Sequence, residues 1–175
     1  HLIMGSRETN GDNAGGGIVV GVNTDGTIVV FSSSFHIAPG TGSWDQANYL
    51  NQWVHMAVTR DNNNLMTLWL DGVNKGTASS FTNNLTRSAF SFGNLVTSAA
   101  EDFNGYISNA RITIGQSLYS SNFNPATSQL TTTSQGANAT NVKFLGLNAS
   151  SITNDTVGTA TVTSDNSPTS TTGPF

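Results

Sequence analysis

The stretch NQWVHMAVTRDNNNLMTLWLDG, residues 51–72, sets Trp53, His55, Arg60, Asp61, Trp69 and Asp71 close together. Histidine beside carboxylates is the raw material of general acid–base work, and a serine added to them makes a nucleophilic triad. Such chemistry needs the groups to converge in space, and the spacing here gives no sign of it. From Trp53 to Arg60 the side chains alternate: Val54, Met56 and Val58 point one way, while Trp53, His55, Ala57 and Thr59 point the other. Met66, Leu68 and Leu70 separate from Thr67, Trp69 and Asp71 in the same manner. The simplest reading is two packed strands, with His55 structural, Trp53 and Trp69 packed, Arg60 a solvated strand end and Asp71 a turn former.

Other chemistries are thinly supplied. Cysteine is absent, which excludes disulfides, thiolate metal sites and a cysteine nucleophile. A glycosidase needs two carboxyl groups flanking the scissile bond, and the chain has just two glutamates, Glu8 and Glu101, neither in a paired motif. The aspartates sit mostly beside Gly or Asn, as turn residues do. The chain is therefore expected not to be an enzyme.

Two kinds of binding site are candidates. Exposed rings stack on pyranose faces while neighbouring amides bond the hydroxyls. APGTGSWDQANYL, residues 38–50, offers Trp44 and Tyr49 amid Asp45, Gln46 and Asn48. NGDN and AEDFNG nominate Asp12, Glu101 and Asp102 as oxygen donors for a hard cation such as calcium. Four Asn-x-Ser/Thr sequons, at Asn84, Asn138, Asn148 and Asn154, are about what so much Asn, Ser and Thr produces by chance.

The elements that would position these residues are short. Alternating runs recur between clusters of Gly, Asn, Asp and Ser, and no window holds helical spacing for long, so the chain reads as all-β. Candidate strands are 18–22, 27–31, 54–60, 66–70, 89–93, 105–114, 142–147 and 159–163. NTDG at 23–26, RDNNN at 60–64 and LDGVNKG at 70–76 mark chain reversals. Beyond residue 120 the composition turns to Thr, Ser, Asn and Pro. VKFLGLN nonetheless carries too many large apolar side chains for a free linker, so residues 120–175 are expected to wrap and complete a single domain begun by residues 1–119.

Only 9% of the residues are charged and the net charge is −4. The surface is polar but weakly charged, without the basic stripe that phosphate binding needs, so nucleic acid is not an expected partner. No apolar run approaches the ~20 residues of a membrane span, so no membrane contact is expected.

WVHMAVTR, a polar turn, LWLDG, FSFG and DFNGYISNARI, in that order across residues 51–114, resemble the laminin G-like group of the concanavalin A-like lectin/glucanase superfamily. The resemblance implies a two-sheet antiparallel jelly-roll sandwich and a role in adhesion, glycan binding or assembly. IGQSLYSSNFNPATSQL and the closing TGPF are similar to the tails of such domains in structural proteins of tailed bacteriophages, although Gln116 stands where the pattern often has Gly or a charged residue. This second likeness implies a non-enzymatic structural or adhesive module of a virion, extracellular, assembling as a homo-oligomer or with other virion subunits. The alternative is a carbohydrate-binding module of a secreted or cell-surface protein, with cell-surface glycans as partners. HLIMGSRETNGDN looks like the interior turn after an early strand of such domains. The first strands are then expected to lie elsewhere in a longer subunit or to come from a neighbour, leaving an open sheet edge beside residues 1–4.

Overall fold

The computed structural model describes residues 1–6, 16–32, 35–37, 46–78, 81–87, 89–94, 102–148 and 174. The chain forms two compact units, His1–Tyr106 and Ile107–Phe175. All ten strands described are antiparallel to their partners, and the described helical turns are single 3-10 turns.

The first unit contains two sheets. β1 (Leu2–Gly5), β2 (Val19–Val22), β3 (Ile28–Ser32), β4 (Phe35–Ile37) and β8 (Ser91–Phe92) form one sheet in the order β4-β3-β2-β1-β8. β5 (Met56–Arg60), β6 (Met66–Leu70) and β7 (Val73–Ala78) form the other, with β6 central. Period-two alternation joins them: Val20, Val22, Ile28, Val30 and Ile37 of the first sheet share one buried cluster with Met66, Leu68 and Leu70 of the second, closed by Phe81. Val54, Met56 and Val58 pack against the same cluster, on the face that alternation assigns them. Each fully buried Val or Leu contributes about 1.5–3 kcal/mol. The described chain is all-β, and its first unit is a two-sheet antiparallel sandwich of the jelly-roll class.

The reversals follow from local chemistry. Asp71 (φ 48) and Gly72 (φ 75) both take left-handed backbone, as a two-residue hairpin loop with the twist of its strands requires, and Leu70 faces Val73 directly. Asp61 Oδ1 accepts the N–H groups of Asn63 and Leu65, at 2.9 and 2.8 Å, and Asn64 supplies the positive φ of the β5–β6 turn. At 23–27, Asp25 Oδ1 accepts Thr27 N–H at 2.9 Å and holds the β2–β3 hairpin closed.

Several expectations are corrected. The reversal at 70–76 is only two residues long, and Val73 resumes as β7. That strand has polar, Gly-containing sequence and a bulge opposite Leu68/Trp69, so it carries no alternation to read. β1 and β4 are too short to show a period. The run 105–114 shortens to β9 (Ala110–Thr113), because Asn109 turns left-handed (φ 60). The segment 89–93 contributes only Ser91–Phe92. Residues 1–4 do not form an open edge: β1 pairs with β2 on one side and β8 on the other. The run 159–163 lies outside the described residues.

In the second unit β9 pairs with β10 (Val142–Gly146), and polar side chains organise the connection between them. Arg111 Nη1 donates to the carbonyls of Thr131 and Ser134, at 3.1 and 2.8 Å. Asn109 Oδ1 accepts Leu130 N–H at 2.7 Å. Gln116 donates to Gly136 O and accepts from Asn138 N, at 2.9 and 2.8 Å, so it clasps this connection at two points. Hydrogen bonds to backbone groups add to the burial of Ala137, Val142 and Phe144 in ordering this Ser/Thr/Asn-rich sequence.

Candidate functional site

At the Asp71–Gly72 end of the three-stranded sheet, the chain approaches β5 through the 3-10 turn Gln46–Tyr49 and then Leu50 to His55. Asn51 turns left-handed (φ 58), and the Gln52 amide donates back to Asn48 O. Asp71 pins this approach to the hairpin. Its Oδ1 accepts His55 N–H at 2.9 Å, and its own N–H donates to His55 O at 2.8 Å. The expected turn former thus also bonds a residue sixteen positions away, as the sequence alone did not suggest.

The two strand tryptophans part company here. Trp69 is 2% exposed, and its Nε1 donates to Thr59 Oγ1 at 2.9 Å. Trp53 precedes the first ladder pair of β5 and stays 44% exposed, so the expectation that it is packed is corrected. Position in the ladder is the physical difference: β6 has a strand on each side, whereas Trp53 lies before regular pairing begins. Leu50 and Val73 are also exposed at this end.

Of the expected glycan residues, Trp44 and Asp45 lie outside the described residues, and Gln46 opens the 3-10 turn. Asn48 is exposed. Tyr49 is half-buried and packs against the core cluster. Burial first, and the nearby Asp71 carboxylate second, hold its phenol above the usual tyrosine range. The described rim therefore combines one exposed indole, the amide side chains of Asn48, Asn51 and Gln52, a phenol and a carboxylate. Sequence reasoning missed Trp53 because alternation fixes which face a side chain takes, and not whether that face is covered.

Of the calcium nominees, Asp12 and Glu101 lie outside the described residues. Asp102 is exposed, and its backbone carbonyl lies 2.8 Å from His1 Nδ1. Among the described residues no three His, Asp or Glu side chains come together that could hold a metal ion. Asp102 is the one calcium nominee among the described residues. Asp25, Asp61 and Asp71 each accept backbone N–H groups at turns, as their Gly and Asn neighbours imply. Glu8 and Glu101 lie outside the described residues.

Residues 2–114 match Laminin_G_3, a family of the concanavalin A-like lectin/glucanases superfamily. The chain belongs to this family. The match covers both sheets of the sandwich and the whole Asp71–Gly72 rim, and it runs on through β9. Comparison with curated proteins and with solved structures returned no match.

Proposed function

We propose that this Laminin_G_3 chain is a non-enzymatic, lectin-like adhesive module that holds a glycan at the Asp71–Gly72 rim. The supporting observation is the half-exposed indole of Trp53 beside a segment rich in amide side chains. A ring face stacks on the C–H face of a pyranose, while Asn48, Asn51 and Gln52 offer donors and acceptors to its hydroxyls. Trp44, Asp45 and Gln46 belong to the same proposal as the continuation of this loop. The turn duties of Asp25, Asp61 and Asp71 favour binding over hydrolysis, since each carboxylate is engaged by backbone N–H groups. A glycan array tests the reading. Selective binding by the intact chain should weaken at least tenfold in Trp53→Ala without loss of fold; binding indifferent to Trp53, Trp44 and Tyr49 would remove the rim from consideration.

A second reading makes the module a virion component that assembles with copies of itself or with other virion proteins. Its support is the sequence likeness of residues 114–130 to phage structural domains, in a segment that carries Gln116 and the stacked rings of Tyr119 and Phe123. On this reading the protein is recovered in purified particles and is silent on the array.

A further inference from the structure

We infer that Asp71 makes the rim selective for uncharged sugars, rejecting uronate, sialylated and sulfated glycans. This rests on the glycan reading above. Asp71 is exposed, and it is the one charged side chain at the described rim. An ionised carboxylate only accepts hydrogen bonds, at about four lone-pair sites, and the N–H of His55 uses one of them. The remaining capacity suits sugar hydroxyls, which can donate. A carboxylate or sulfate on the ligand would instead set acceptor against acceptor and charge against like charge.

Among the described residues, most of the cations that could reverse this already hold other partners. Arg60 ends β5, at the opposite end of the β5–β6 hairpin, where it donates to Asn83 O at 2.8 Å and lies over the Phe81 ring. Arg111 is engaged by Thr131 and Ser134, and Lys143 by Thr140 O. Arg87 lies in the 81–87 segment, bonded through its backbone to Gly16. Lys75 is nearest along the chain, three residues past Gly72 on β7 and so about 10 Å along the strand. Arg7 lies outside the described residues. Tyr49 registers the same field, since the Asp71 carboxylate adds to burial in disfavouring its phenolate.

The test compares neutral hexose oligosaccharides with uronate and O-sulfated forms of the same backbones, using calorimetry on the full chain. The intact protein should bind the neutral forms on the order of three- to tenfold more tightly at low salt. That gap should close toward unity at about 0.5 M salt, where exposed charges are screened. Asp71→Asn keeps an acceptor for His55 N–H and tolerates the left-handed backbone, so the hairpin should survive while the gap narrows. Acidic glycans bound as tightly as neutral ones, or a gap indifferent to both Asp71→Asn and salt, would overturn the selectivity and leave glycan binding standing. Failure to bind any of the sugars would remove the glycan reading and this inference with it.

Discussion

Replacing Trp69 tests the packing on which the site depends. The indole sits on the central strand of its sheet, on the face away from the shared core cluster, and is nonetheless 2% exposed. Trp69→Phe removes the Nε1–H bond to Thr59 Oγ1, worth about 0.5–1.5 kcal/mol, and leaves part of the indole volume empty. Trp69→Ala empties nearly all of it, at about 3–5 kcal/mol. The melting temperature should fall by roughly 6–20 °C, at about 2–4 °C per kcal/mol for a chain of this size. Trp53→Ala is the control: with 44% of that residue already in water, it should cost about 1 kcal/mol. Urea unfolding followed by far-UV circular dichroism measures both, and unchanged slopes would show that the unfolded states are comparable. If Trp69→Ala lies within about 1 kcal/mol of the parent, or Trp53→Ala costs more than it does, burial on the second face of β6 is not what holds this sheet.

Three other perturbations follow from the geometry. Gly5→Ala would place a Cβ 2.7 Å from Ile18 O, in a sheet whose backbone cannot yield cheaply, so a loss of about 1–3 kcal/mol is expected in chemical denaturation. Gln116→Ala removes both clasps on the β9–β10 connection and should speed amide exchange at Asn138, whose N–H loses its acceptor, while leaving β2 and β3 unchanged. Burial raises the phenols of Tyr49 and Tyr119 above the ordinary value of 10.0, with Asp71 adding to the first and Arg111 opposing the second. The folded state therefore holds these protons more tightly than the unfolded one. Their contribution is complete below pH 10.0 and is lost as pH rises through the raised values. An alkaline melting series should show that decline, and Tyr49→Phe with Tyr119→Phe should flatten it.

Residues 51–72 show how far sequence reaches. Alternation assigned Val54, Met56, Val58, Met66, Leu68 and Leu70 to one face, and all six meet the shared core. Asx-Gly placed the β2–β3 and β6–β7 turns, because positive φ is a local property that Gly and Asp or Asn accept at little steric cost. The same arithmetic could not separate Trp69 from Trp53. Both occupy the outward register, and what covers an outward position is set by elements remote in sequence. Nor could it find the bond from Asp71 to His55, which exists only once β5 and β6 are paired in register, or Arg60 reaching Asn83 O.

Sequence by itself determined the all-β class, the Asx-Gly turn positions and the inward faces of β5 and β6, because these depend on neighbours two to four residues away. The tertiary structure decided which strand is central, which indole remains in water, and that β1 lies inside its sheet rather than at an edge. Those outcomes depend on strand pairing across long separations, where identical local patterns can be either covered or left open.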